Sequence, residues 1–530
     1  MGLTAARYFA KELRRYGITR VFGLPGTETI ELIEATRQEG LDFFLTHHEA
    51  TAAFAAGMAG ALSGVPGVCI ASGGPGSTNL VSGIAAAHLD RRPLLAVIGD
   101  HEHAPELPRH QRLPIELFAS IARASARVDA GSLAAELPRL LEAALGDPPG
   151  PAVLSFPTPA AMSEMPARTT AQPERAVRSA AVPDLATALK AIAGSRRAMI
   201  IAGLGVAGGS AGAALVRLAE RLGCPVADTP QAKGWFPNSH ALFAGTYATH
   251  RNESIVALAN ASDLVIAVGL DSVEFLRPWQ VTTPVLSLGA PGSAERALPA
   301  HIAVEGPLAP LLEALAGEAR PAGAHPPATA AGCRAQLLDG LMPSAERDGI
   351  LWPQTVIAEL RRALPPDGVV TVDVGSHKLL MVLQWSTDLP NTFLNTSGLS
   401  SMGTGLPFAI AAKLTWPERP VAALIGDGGY LMYAGELATL ARARLPIVVV
   451  VMNDAALFSI KIKQVRRAYP AIGTEFDPVA VADIARAFGL CAERVTSRAQ
   501  CARAFAAALG RDAPTVIDAV IDPTGYELSQ

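Results

Sequence analysis

The chain has 530 residues, is half apolar, and carries 48 acidic against 44 basic side chains for a formal net charge of −4. That balance offers no electrostatic basis for binding nucleic acid or an anionic membrane surface. The length exceeds what a single core supports and points to about three domains. Its five cysteines (Cys69, Cys224, Cys333, Cys491, Cys501) are scattered with no CxxC pair, which fits unpaired thiols in a reducing cytoplasm.

The opening MGLTAARYFAKELRRYG places Lys11, Glu12, Arg14 and Arg15 where a signal peptide needs its apolar core, so an amphipathic first helix is expected. Two stretches rich in Pro and Ala, 158–184 and 317–332, read as linkers and leave blocks at 1–160, 185–318 and 340–530. Each block alternates short apolar runs with Ala-rich helical stretches. The runs are GVCIASGG and PLLAVIGD, then AMIIAGLG, DLVIAVGL and TPVLSLGA, then GVVTVDVG, PVAALIGD, PIVVVVMND and PTVIDAVID. Continuous apolar strands ending in Gly or Asp predict three doubly wound parallel-sheet α/β domains, with ligands at the C-terminal strand ends. The apolar run LPIVVVVMN at 445–453 is of strand length and does not span a bilayer.

In the first block Glu49 opens the Ala-rich stretch EATAAFAAGMAG, where an acid also suits the helix dipole. The middle block contains Gly203-x-Gly205-x-x-Gly208 after a predicted strand, with Asp228 after the next, the outline of a dinucleotide fingerprint. Taken alone, it leaves a flavin or nicotinamide oxidoreductase open. In the third block Asp427 ends the run VAALIG at the expected entrance to the helix containing GELATLARA. Gly426, Gly428 and Gly429 there remove side chains and let backbone N–H groups approach an anion. One helix and one strand later, with 24 residues (429–452) between Gly428 and Asn453, come Asn453 and Asp454. A crossover of that length returns to the same sheet edge, where carboxylates and phosphate oxygens together suit a hard cation such as Mg²⁺.

Gly-Asp-Gly followed at this distance by Asn-Asp resembles the thiamine-diphosphate motif. The resemblance covers nearly the whole chain, in the order pyrimidine-binding, Rossmann-like middle and diphosphate-binding domains. It implies Mg²⁺ on the side chains of Asp427 and Asp454 and on the Ala456 carbonyl. It also implies that Glu49 hydrogen-bonds N1′ of the aminopyrimidine ring and so promotes deprotonation of the thiazolium. VDVGSHKLLM (372–381) resembles the loop that holds the terminal phosphate, with Gly375, Ser376 and His377. TSGLSSMGTGLPFAIAAKL (396–414) resembles the segment beneath the folded cofactor, with the Ser400 carbonyl accepting from the 4′-amino group and Met402 propping the rings. VFGLPGTETIEL (21–32) and CIASGGPGSTNLVSGI (69–84) resemble the loops facing the reacting carbon, which makes Thr27 and His48 candidates for proton traffic or substrate orientation. Gln111 resembles a substrate-facing glutamine of acetolactate-synthase-like members. His47 reads as a satisfied histidine. Some members hold FAD in the middle domain; it is possible here and not favoured.

Within this family the reaction depends on the pocket mouth. Ile460 stands where aldehyde-releasing pyruvate decarboxylases carry a glutamate. His48-Glu49, SGGPGSTN, Gln111, QAKGWFP (231–237) and SSMGTGLPFA (400–409) resemble acetolactate synthases. Lys233 reads as a solvated lysine with a lesser case for an acceptor carboxylate, and Lys461 and Lys463 form no clamp. The expectation is decarboxylation of a 2-oxo acid with acyl transfer to an acceptor. Simple decarboxylation of the benzoylformate-decarboxylase type and a catalytically silent cofactor-binding subunit are the alternatives. A homodimer or homotetramer is implied, with the active site at the subunit interface.

Overall fold

A computed structural model describes residues 2–100, 115–166, 184–208, 210–290, 298–343 and 349–529. The predicted first helix forms over Ala5–Arg15. Thr4 caps it by accepting from the Arg7 N–H, and Phe9 and Leu13 are fully buried on its inner face.

The apolar runs become the strands of three six-stranded sheets, and every strand pairing is parallel. The first sheet comprises β1 (Arg20–Gly23), β2 (Asp42–Leu45), β3 (Gly67–Ser72), β4 (Leu94–Asp100), β5 (Ala124–Arg127) and β6 (Pro151–Pro157), in the order β2-β1-β3-β4-β6-β5. The second comprises β7 (Ala198–Ala202), β8 (Val226–Asp228), β9 (Phe243–Thr246), β10 (Leu264–Val268), β11 (Val285–Gly289) and β12 (Ile302–Glu305), in the order β12-β11-β10-β7-β8-β9. The third comprises β13 (Val369–Val372), β14 (Phe393–Leu394), β15 (Val421–Gly426), β16 (Ile447–Asn453), β17 (Cys491–Val495) and β18 (Thr515–Val520), in the order β14-β13-β15-β16-β18-β17. Central strands such as β7, β10 and β16 are buried along their whole length, because helices cover both faces, and this is why they read as unbroken apolar runs.

Packing groups the chain into two compact units, one of Met1–Arg178, Gly398–Glu418 and Tyr433–Leu445, the other of Ser179–Ser397, Arg419–Met432 and Pro446–Gln530. Two sequence expectations change. The second linker is shorter than its composition suggested, because Thr329–Leu338 is helical and buries Ala330, Cys333 and Leu337. The stretch after Asp427 is not one helix but two, Asp427–Met432 and Glu436–Ala443. Among the described residues no helix is long and apolar enough to cross a membrane.

Candidate active site

Asp427 leaves the end of β15 in the second unit and is 2% exposed. Its Oδ1 accepts from the Gly428 N–H at 2.7 Å, and its Oδ2 accepts from the N–H groups of Asp454 (3.0 Å) and Ala455 (2.7 Å). Both latter donors reach one oxygen because Ala455 adopts a left-handed backbone, φ 55°. An alanine there is strained by about 1 kcal/mol or more. Asp454 faces the same turn, its Oδ1 accepting from the Ala456 N–H at 3.3 Å. Burial pushes the Asp427 carboxyl upward, and burial together with the Asp427 charge pushes Asp454 up to about 8. Asn453 is committed elsewhere, donating to Asp518 Oδ1 (2.8 Å) and the Val479 carbonyl (3.0 Å). Two mutually repelling carboxylates at adjacent strand ends, the buried Asp427 and the half-buried Asp454, fit a divalent cation, which would relieve both penalties. Among the described residues no group of three or more His, Cys, Asp or Glu side chains is placed to hold a metal ion. A cation on Asp427 and Asp454 therefore needs further oxygens from the backbone, water or a phosphate.

The residues expected to hold the terminal phosphate follow β13, the strand paired with β15. Gly375 precedes the helix Ser376–Gln384, and a Cβ on it would stand 2.5 Å from Cε1 of His377. A Cβ on Gly426 would stand 3.1 Å from the same atom. These two glycines make room for the imidazole, which places it beside the strand end that carries Asp427. His377 is 4% exposed, and burial pulls its pKa down to about 4. Its Nε2 is buried with no hydrogen-bond partner. An orphaned ring nitrogen at a strand end, with Ser376 buried beside it, fits a phosphate oxygen, whose negative charge would favour the protonated ring. Tyr526, which the sequence reading missed, is buried against Phe458, and burial with the charges of Asp454 and Asp427 raises its phenol.

The first unit carries the other group of expected residues. Glu49 is the first residue of the helix Glu49–Ser63, and His48 caps it, its Nδ1 accepting from the Ala50 N–H at 3.0 Å. Asn79 Nδ2 donates to Glu49 Oε2 at 2.9 Å, and a Cβ on Gly76 would stand 3.4 Å from Glu49 Oε1. The loop SGGPGSTN thus serves to position Glu49, and Asn79 was not singled out by its spacing. The His48 ring meets Tyr433 edge-on at 5.6 Å. His47 is satisfied, as expected: its Nδ1 bonds Thr439 Oγ1 at 2.9 Å, and Thr439 donates to Glu436 Oε2 at 2.7 Å. Thr27 is exposed on the short turn Thr27–Thr29, and Gly26 presses that turn against Ser72, whose Oγ would lie 1.7 Å from an added Cβ. Ser400 has φ 55° and Met402 is half-buried two residues later. Gly403 packs so closely that a Cβ would stand 2.0 Å from the Tyr433 ring. Gln111 lies outside the described residues.

Three family models match the chain: the N-terminal thiamine pyrophosphate (TPP) binding domain over residues 3–115, the central domain over 185–315 and the C-terminal TPP binding domain over 373–519. The chain belongs to the thiamine pyrophosphate enzyme family. It is 26% identical to the acetolactate synthase of Bacillus subtilis, across 96% of this chain and 91% of that protein. It is 30% identical to a probable 2-ketoarginine decarboxylase of Pseudomonas aeruginosa, across 97% and 94% of the two chains. The thiamine diphosphate-dependent 4-hydroxybenzoylformate decarboxylase of Rhodococcus jostii RHA1 has the same fold, with a TM-score of 0.87 at 22% identity over 98% of this chain and 99% of that one. The three parallel sheets are the three-domain α/β fold of this family.

One lysine expectation is corrected in this thiamine pyrophosphate enzyme. Lys233 is not solvated: it is 3% exposed, its Nζ donates to Thr246 Oγ1 at 2.8 Å, and it faces the charge of the fully buried Asp228. The short turn QAKG tucks it inward because Gly234 sits at φ 82°. Lys461 lies on the helix Phe458–Arg466 and pairs with Glu475 at 2.5 Å, so it and Lys463 form no clamp, as expected.

Proposed function

We propose that this chain is a thiamine-diphosphate- and Mg²⁺-dependent enzyme that decarboxylates a 2-oxo acid and transfers the acyl unit to an acceptor, as acetolactate synthases do. The observation that carries the transfer reading is Ile460. It lies in the first turn of the helix Phe458–Arg466, just after the metal loop, and is 48% exposed. An isoleucine has no proton to deliver where aldehyde-releasing pyruvate decarboxylases carry a glutamate, which counts against that type and supports transfer to an acceptor.

When bound, thiamine diphosphate supplies the carbon nucleophile and electron sink for loss of CO₂. The chain's residues hold and protonate. Asp427, Asp454 and the Ala456 carbonyl hold the cation, with Gly426, Gly428 and Gly429 keeping side chains off the turn. Gly375, Ser376 and His377 hold the terminal phosphate. Glu49, oriented by Asn79 Nδ2 at 2.9 Å, keeps a proton at the aminopyrimidine N1′. Ser400 offers its carbonyl and Met402 its side chain to the cofactor rings. Thr27, His48 and Gln111 handle substrate protons and orientation. The domains run 1–160, 185–318 and 340–530, and the working form is a cytoplasmic homodimer or homotetramer with active sites at subunit interfaces.

A second reading, simple decarboxylation to an aldehyde, is supported by the 30% identity to a relative named as a 2-ketoarginine decarboxylase. One experiment separates the two: CO₂ release from pyruvate, benzoylformate and 2-ketoarginine, with thiamine diphosphate and Mg²⁺ present or omitted and the products identified by mass. Acetolactate from pyruvate supports transfer, and an aldehyde from a bulkier acid supports simple decarboxylation. No turnover on any acid, with cofactor bound, would sink both and favour the silent-subunit alternative.

A further inference from the structure

The second sheet, β12-β11-β10-β7-β8-β9, runs outward in both directions from β10 and β7. In local numbering this is the order of a dinucleotide-binding sheet, and its ligand crevice lies between the two central strands, beyond their C-terminal ends. The Gly203-x-Gly205-x-x-Gly208 fingerprint follows β7, at that switch point. The loop after β10 sends a carboxylate into the same place. Glu274 ends the short turn Ser272–Glu274, and its Oε2 accepts from the N–H groups of Leu204 (2.9 Å) and Asp271 (3.1 Å). Its Oε1 accepts from the hydroxyl of Thr229, which follows β8. The carboxylate is thus held by groups at the ends of three strands, in the manner of a bound phosphate.

The fingerprint glycines serve this arrangement. A Cβ on Gly203 would stand 2.5 Å from Glu274 Oε2, and one on Gly205 would stand 2.8 Å from the Gly269 backbone. The start of the following helix, Ala211–Leu222, is packed as well, since a Cβ on Gly212 would stand 2.8 Å from the Trp235 carbonyl. Asp228, the residue spaced for a ribose, is fully buried, accepts from Asn238 and balances the Lys233 charge. None of these groups is disposed to receive a dinucleotide.

We infer that Glu274 is a built-in carboxyl group filling the dinucleotide crevice of the central domain, so that the crevice takes no FAD or nicotinamide dinucleotide and becomes a phosphate site only when this side chain is removed. The test is calorimetric titration of the full chain and its variants with ADP and with FAD, with melting temperature and thiamine diphosphate binding followed in parallel. Wild type is expected to give no saturable binding of either. Glu274→Ala is expected to bind ADP at least about tenfold more tightly than wild type. Glu274→Gln retains an oxygen for the Leu204 and Asp271 amides and is expected to stay closed. Should Glu274→Ala fail to fold, Glu274→Ser makes the same opening with a small polar side chain. Stoichiometric ADP or FAD on the wild-type chain would overturn the inference. So would a folded, thiamine-diphosphate-binding Glu274→Ala or Glu274→Ser variant that gains no affinity for ADP.

Discussion

In the proposed site Asp427 has a structural and a ligand-binding duty that substitution can separate. Its carboxylate accepts from three backbone N–H groups, those of Gly428, Asp454 and Ala455. Leaving an enclosed amide without an acceptor costs about 1 kcal/mol or more, so Asp427→Ala loses about 3 kcal/mol on that account. Removing the carboxylate also relieves the repulsion that raises Asp454, and the net loss in the cofactor-free protein is expected near 2 kcal/mol. Asp427→Asn keeps one oxygen for the Asp454 and Ala455 amides and should lose about half as much. With the ligand at a hundredfold excess over its dissociation constant, Mg²⁺ and thiamine diphosphate should stabilise wild type by about 2.7 kcal/mol, and neither variant should show this gain. Urea denaturation with and without Mg²⁺ and thiamine diphosphate reads both terms. Wild-type stability of cofactor-free Asp427→Ala would refute the hydrogen-bond reasoning, and a full ligand-induced gain in Asp427→Asn would refute the metal assignment.

Glu49→Gln should lower cofactor-dependent CO₂ release by about 10²–10⁴-fold while thiamine diphosphate still binds; unchanged turnover would remove Glu49 from proton transfer. Lys233→Met leaves Asp228 buried beside no cation and should cost about 3–5 kcal/mol in urea denaturation, with much of the loss recovered by adding Asp228→Asn. Burial raises Glu274 from an ordinary 4.5 to about 7. Its contribution to stability is therefore complete below pH 4.5 and lost as pH rises through 7, roughly 3 kcal/mol in all. Comparing wild type with Glu274→Gln between pH 5 and 8 isolates that slope, and parallel profiles would show that the carboxyl titrates normally.

The parallel sheets were legible because strands covered on both faces must be apolar throughout, as runs such as AMIIAG, PVAALIG and PIVVVVMN are. The Gly-Asp-Gly…Asn-Asp spacing was legible because a helical crossover and one strand return the chain to the same sheet edge, even though that crossover is two short helices and not one. Side-chain destinations were not. Sequence spacing says nothing of which way a loop folds back, so Lys233 read as solvated until the turn at Gly234 carried it into the core. The 3–5-residue reach of local patterns also cannot join Leu204 to Glu274, 70 residues away. A fingerprint of three glycines determines that something approaches the backbone closely; only the packed domain decides that the thing approaching is the chain's own carboxylate. The same holds for Asn79 against Glu49 and for the orphaned Nε2 of His377. Residue types and strand order set where chemistry can occur, and long-range packing sets which atom is left unsatisfied there, because desolvation and hydrogen bonding act between neighbours in space, whatever their separation along the chain.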